Sequence, residues 1–419
     1  MLNLKLHTPE GVMDYLPDAC MAKRDIENRM TAAFESYAYR FIQTPAFEYH
    51  DLYTGISGDI SSEKLFKFFD AQGHILALRG DVTTSIARVI ATKWRKSELP
   101  ARVCYVADAF RYNGSASTLP SEFTQAGIEL IGDGSAQADA EVLIVTIEAL
   151  LRAGLDAFQI DIGQVEFFKG LAAQVGLDEE DFEKIRMLID HKDSLGIADI
   201  VEAYDVDPEI KHLMCQMPEL FGGSDVLLNA DCEKLNSRSK AALTNLREIY
   251  DIICACGLEQ YVSIDLGMLQ SIDYYTGVIF KGFTYDVGFA VCGGGRYDAL
   301  LRNFGADREA VGMAISVTRV LSAMQRQKKP LKKPVTDAVC YMENKQDAGS
   351  PAIQLLRRQN IVLENYYGKD GMEQAIAYAS SRGIHVVLAP APEGKLTVIV
   401  DGQLKGVLMP EKVKEVLCK

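Results

Sequence analysis

The sequence predicts an α+β fold: an antiparallel-sheet domain carrying a helical insertion, followed by a small α/β domain. Three observations lead there. Strand-like and helix-like stretches of residues 1–163 come in mixed order, neither a regular alternation nor a long run of strands. Residues 164–260 read as mostly helical and interrupt the sheet elements, with acidic runs such as LDEEDFEKI and YDVDPEI. The run RQKKPLKKP at 326–334 has the prolines and lysines of a surface linker, and strands alternate with helices beyond it.

Residues 18–39 carry apolar residues at helical spacing behind Asp18, a candidate N-cap. The same periodicity recurs at 81–96, 136–153 and 163–188. Strand-like stretches lie at 74–79, 101–112, 122–132 and 157–163, and again at 262–267, 275–283 and 287–295, with a helix from Arg296. In the last domain, strands are expected at VTDAVCYM, IVLENYY, IHVVLAP, KLTVIV and GVLM, and helices at 348–358, 371–382 and the C-terminus. The expected domains are thus 1–325 with its insertion at about 164–260, a linker at 326–334, and 335–419.

At 419 residues the chain can bury a large core without disulfide or metal staples. No apolar run reaches the ~18–20 residues of a spanning helix. The N-terminus MLNLKLHTPEGVMDYLP lacks the pattern of a secretory leader, so a cytoplasmic protein is expected. The net charge is −14, and residues 335–419 carry ten acidic and ten basic side chains, so the whole excess belongs to residues 1–334. That disfavours a non-specific nucleic-acid or anionic-membrane binder. The nine cysteines form no C-x-x-C pair and the six histidines no H-E-x-x-H motif, so reduced thiols and no metal site are expected.

Generic chemistry motifs are missing: there is no phosphate-binding G-x-x-x-x-G-K-[ST] loop and no G-x-S-x-G elbow. Six separated stretches are more specific. Gln270-Ser271-Ile272-Asp273-Tyr274-Tyr275-Thr276-Gly277 and Gly293-Gly294-Gly295-Arg296-Tyr297-Asp298 resemble the two signature peptides of the histidyl-tRNA synthetase family. Phe110-Arg111 through Glu122-Phe123-Thr124-Gln125-Ala126-Gly127-Ile128-Glu129 resembles its second class-II motif. Leu78-Arg79-Gly80-Asp81-Val82-Thr83 is similar to its Arg-Pro-Glu-Gly-Thr loop. Gly312-Met313-Ala314-Ile315 with Arg319 is similar to motif three, and Thr44-Pro45-Ala46-Phe47-Glu48 to motif one. The resemblance runs in order over residues 8–325. It implies a class-II aminoacyl-tRNA synthetase-like sheet, with 335–419 resembling an anticodon-binding-type domain.

The match fails at the activation chemistry. Where the family has arginine opening the Asp-Tyr-Tyr-Thr-Gly peptide, this chain has Gln270; Asn113, Leu119 and Ser121 replace glutamate and two arginines; Ser316-Val317-Thr318 replaces Gly-Leu-Glu. Adenylate formation needs fixed cations around an α-phosphate and the attacking carboxylate. A neutral amide and a leucine supply none. Arg111 and Arg319 remain as candidates to hold a phosphate.

The amino-acid pocket is retained. By the resemblance, Asp81 and Thr83 serve a ligand's α-ammonium, and Arg111 and Gln125 its carboxylate and ammonium. Glu129 with Tyr275 and Tyr297 can bracket both nitrogens of an imidazole, which offers one donor and one acceptor, or two donors when charged, and Tyr274 is expected in the same pocket. Asp81 is equally suited to cap a helix. A histidine pocket beside broken activation chemistry is similar to the regulatory subunits of ATP phosphoribosyltransferase, a non-catalytic branch of the family. The resemblance implies no cofactor, no tRNA and no membrane. It implies a homodimer within a hetero-oligomer with a short-form catalytic subunit, and histidine feedback inhibition at the first step of histidine biosynthesis. A divergent histidyl-tRNA synthetase and a free-standing histidine-sensing module that docks on another enzyme are the alternatives.

Overall fold

The helix Pro17–Ser36 buries Ala22, Ile26, Met30, Ala33 and Phe34, one stripe at the 3.6-residue period. Its start corrects the expected cap: Leu16 precedes it without a side-chain bond, Pro17 supplies the preset first turn, and Asp18 lies within that turn. It ends at Ser36 rather than 39, where Ala38 turns left-handed at φ 62°. The helix Ala136–Ala153 keeps its expected bounds, because Ser135 accepts from Ala138 N and Gly154 (φ 98°) closes it. The periodic stretch 163–188 is two helices, Val165–Val175 and Glu179–Asp190, since Gly176 (φ 82°) stops the first and Asp178 caps the second. The expected helix over 81–96 runs Thr83–Thr92.

These elements belong to a computed structural model that describes residues 4–54, 62–96, 98–114, 120–269, 274–368 and 371–417. The chain divides into two units, residues 1–332 and 333–419.

The first unit is built on a nine-stranded sheet. Its strands follow the order Arg40–Phe41, Ala101–Phe110, Glu122–Ile131, Ala310–Ser316, Cys292–Arg296, Val278–Thr284, Phe158–Gln164, Val262–Asp265 and Phe221–Gly222. The middle is antiparallel; Arg40–Phe41 on Ala101–Phe110, and Phe158–Gln164 on Val262–Asp265, pair in parallel. Six α-helices connect that second parallel pair through the insertion. Side-chain alternation assigns the two faces. Ala126, Ile128 and Leu130 join the main core with the Pro17–Ser36 and Ala136–Ala153 helices. On the other face Val103, Tyr105 and Ile131 pack with the Thr83–Thr92 and Asp298–Asn303 helices. The strand Ala310–Ser316, at the sheet's centre, was not among the expected strands.

A three-stranded sheet, Phe47–Tyr49, Ile75–Leu78 and Lys67–Phe69, stands apart from the large one. It leaves Phe47, Tyr49, Phe68, Phe69 and Ile75 exposed. The second unit is a five-stranded sheet with parallel and antiparallel pairs, its two faces covered by separate apolar clusters. Among the described residues, no helix is long and apolar enough to cross a membrane.

Candidate ligand-binding site

The face of the large sheet opposite the main core holds a cavity of about 370 Å³. Asp81 and Thr83 reach it from the turn that starts the Thr83–Thr92 helix. Arg111 comes from the end of one central strand and Gln125 from the next. Tyr274 and Tyr275 precede the Val278–Thr284 strand, Tyr297 follows the glycine strand Cys292–Arg296, and Arg319 comes from the Val317–Arg326 helix. All eight line the same cavity.

Glu129 does not. It is wholly buried one layer below, with Thr83 Oγ1 donating to its Oε1 at 2.7 Å and the Tyr297 hydroxyl bonded to its Oε2. The expected bracket of Glu129 and Tyr275 around a ring is therefore corrected: Thr83 and the three tyrosines face the cavity, and Glu129 fixes Thr83 and Tyr297 from behind. The reason is steric. Gly312 lies opposite Glu129 in register, and a Cβ there would sit 1.6 Å from Glu129 Oε2. Only glycine leaves room for the carboxyl beneath the floor. Burial pushes the Glu129 carboxyl up to about 8; its bonds from Tyr297 and Thr83 pull it down and Asp81 adds to the rise.

The remaining groups differ in how fully they are satisfied. Asp81 Oδ1 accepts from Thr84 N at 3.1 Å, so the helix-capping role and a place in the cavity wall coexist. Gln125 is 8% exposed and its Oε1 has no partner among the described residues, an acceptor buried in the wall. Tyr274 stands edge-on to Tyr275 with ring centroids 4.9 Å apart and stacks on Tyr297 at 5.8 Å, an aromatic side to the cavity. Tyr297 is held in turn by its neighbour Arg296, whose guanidinium is buried against Asp139 at 2.7 Å and the Asp133 carbonyl. Burial raises the Asp139 carboxyl to about 6 even with Arg296 beside it.

Arg111 donates to the Gly80 carbonyl at 2.8 Å and lies over the Phe123 ring; Arg319 donates to the Ala290 carbonyl at 2.7 Å and lies over Phe289. Neither forms an ion pair among the described residues. Burial, and then the charge of Arg111, hold the Arg319 guanidinium below its ordinary range. The cavity thus holds two guanidinium groups that form no ion pair among the described residues, together with the carboxylate of Asp81.

The positions that depart from the family are used by the fold. Asn113 Nδ2 donates to the Pro120 carbonyl at 3.1 Å, and Thr318 Oγ1 accepts from Thr124 N at 3.0 Å. Ser121 is buried, with its N–H on the Gly11 carbonyl and its own carbonyl accepting from Arg111 N. Leu119 and Gln270 lie outside the described residues. Lys64, Phe123 and Lys281 also line the cavity and were not expected there. Lys281 could have been found as the lone charge in the apolar run GVIFKGF; Lys64 carries no comparable signal. No cluster of potential metal ligands exists among the described residues.

A family profile described as histidyl-tRNA synthetase matches residues 11–320. The chain is 42% identical over 417 residues to an ATP phosphoribosyltransferase regulatory subunit of Acetivibrio thermocellus, covering 99% of this chain and 100% of that one. It is 39% identical over 399 residues to the protein so named in Ruminiclostridium cellulolyticum, covering 95% of each. A crystal structure described as an ATP phosphoribosyltransferase regulatory subunit/histidyl-tRNA synthetase from Bacillus halodurans superposes with TM-score 0.79 at 30% identity, covering 92% of this chain and 98% of that one. The histidyl-tRNA synthetase of Nostoc shares the fold, with TM-score 0.80 at 19% identity over 98% of this chain and 99% of that one.

Proposed function

Since the chain belongs to the ATP phosphoribosyltransferase regulatory subunits, a family built on the class-II histidyl-tRNA synthetase fold, we propose that it binds free histidine and passes that signal to a catalytic partner. It is a non-catalytic regulatory subunit in the first step of histidine biosynthesis, required by a short-form catalytic subunit. Histidine inhibits the assembly by binding one quaternary arrangement more tightly than another; a coupling of about 1–3 kcal/mol suffices.

One observation carries the reading. A single cavity gathers a carboxylate (Asp81), a tyrosine box over a buried carboxyl and, among the described residues, a buried amide oxygen without a partner (Gln125) and an arginine without an acidic partner (Arg111). That set complements an ammonium, a carboxylate and an imidazole, and Thr83 and Glu129 hold its walls. Arg319 leaves room for a second anionic group. Asn113 and Thr318, where the synthetases place charge, are engaged in local hydrogen bonds instead.

The exclusion of tRNA rests on charge. The helical insertion, residues 164–260, carries twenty acidic and nine basic side chains, eleven of the chain's fourteen net negative charges. Such a surface repels a phosphate backbone. A homodimer is proposed through the three-stranded sheet, which leaves the aromatic side chains of Phe47, Tyr49 and Phe68 exposed.

The test is catalysis by a short-form ATP phosphoribosyltransferase with and without this chain, titrated with histidine. Stimulation that histidine reverses is expected. A catalytic subunit indifferent to this chain would contradict the assignment and favour a sensor that docks elsewhere.

A further inference from the structure

The turn that carries Asp81 and Thr83 is tied at one end to residues 44–46, which lead into the aromatic strand Phe47–Tyr49, and at the other to Glu48 within it. At one end, Arg79 is 8% exposed and makes no bond to a carboxylate among the described residues. Its guanidinium donates to the Thr44 carbonyl at 2.9 Å, the Pro45 carbonyl at 3.1 Å and the Asp108 carbonyl at 2.6 Å. Its own N–H donates to the Ala46 carbonyl, and its carbonyl accepts from Phe110 N. At the other end, Arg88 of the Thr83–Thr92 helix bonds Glu48 at 2.6 Å, with both side chains mostly buried. The adjoining Gly80 carbonyl holds Arg111.

These bonds form one contiguous strap. Four donated hydrogen bonds, three from the guanidinium groups of Arg79 and Arg88 and one from the Arg79 backbone N–H, connect residues 44–48 to the segment that presents Asp81 and Thr83, and a further bond from Arg79 reaches the Asp108 carbonyl. A planar guanidinium spread over three carbonyls is rigid in a way that an apolar contact is not. We propose that Arg79, with the Arg88–Glu48 pair, is the positioning element that carries ligand binding in the cavity to the aromatic sheet. Ordering of Asp81 and Arg111 by a ligand thereby steadies the Phe47–Tyr49 strand, and packing on that strand steadies the cavity in return, as linkage requires. The inference rests on the histidine reading of the cavity and extends it to a route.

The test uses the full chain, calorimetry with histidine, and amide exchange at Phe47–Tyr49. In the unmodified protein, saturating histidine is expected to slow exchange there by about threefold or more. Arg79→Met should keep histidine affinity within about tenfold while that slowing disappears. Glu48→Gln, a gentler change that leaves Arg79 in place, should reduce the slowing with affinity nearly unchanged; it keeps the test open should Arg79→Met fail to fold. A merely structural Arg79 would lower the melting temperature yet leave the histidine-induced slowing intact in whatever folds. Slowing that persists in both variants, or that is missing from the unmodified protein despite binding, would overturn the route. Absence of histidine binding in the unmodified protein would overturn the pocket assignment itself, and the route with it.

Discussion

The two ends of the cavity treat their polar groups in opposite ways. At the amino-acid end, among the described residues, Gln125 keeps an oxygen without a partner, Arg111 has no acidic partner, and Asp81 spends one oxygen on a helix start. At the former activation end, Asn113 and Thr318 are hydrogen-bonded to nearby backbone. Unfilled bonding capacity facing a cavity is costly unless something fills it, whereas satisfied groups serve the fold alone. The contrast sets open bonding capacity at one end of the cavity against groups committed to the fold at the other.

Substitutions at the two ends should have different consequences. Gly312→Ala should cost about 3 kcal/mol of stability and remove histidine binding, because its Cβ displaces the Glu129 carboxyl; thermal melts and calorimetry check this. Asp81→Asn should weaken histidine binding by about 1.5–3 kcal/mol with little loss of stability, since a charge-assisted partner of the ammonium becomes neutral while the helix cap persists. Thr318→Val should cost about 1–2 kcal/mol of stability by leaving Thr124 N unpaired, and should leave histidine affinity unchanged. A loss of affinity there would erase the distinction between the two ends.

A pH series sharpens the floor of the pocket. The Glu129 carboxyl is raised to about 8 from an ordinary 4.5, so the folded protein holds a proton that the unfolded chain has released. Its contribution to stability is complete below about 4.5 and declines as pH rises through 8. Glu129→Gln mimics the protonated form. Denaturant titrations at pH 5, 6.5 and 8 should show wild-type stability falling relative to that variant; parallel curves would place an ionised carboxylate beneath the floor.

Much of the site was legible in the sequence because its residues are contiguous in short motifs. Asp81 and Thr83 flank one turn, Arg111 follows one strand and Gln125 lies within the strand paired to it, so the motif spacing places them close together. The depth of Glu129 was not legible. Whether a strand residue faces a cavity or lies under it depends on Gly312, which is distant in sequence and opposite only once the strands pair. The break inside 163–188 follows from Gly176 and Asp178, whose signals were present but weaker than the apolar period spanning them. The Ala310–Ser316 strand was hidden because it is covered on both faces and shows no alternation. Nor does the C-terminal unit mark a synthetase, since the match to the Acetivibrio thermocellus regulatory subunit spans that protein's whole length.

The central claim is that a free amino acid is bound where it can no longer be activated. The direct measurement is histidine-dependent ATP–pyrophosphate exchange, run beside calorimetric binding of histidine on the same preparation. Saturable binding with no exchange above background is the expected result; exchange at the rate of a working synthetase would contradict it.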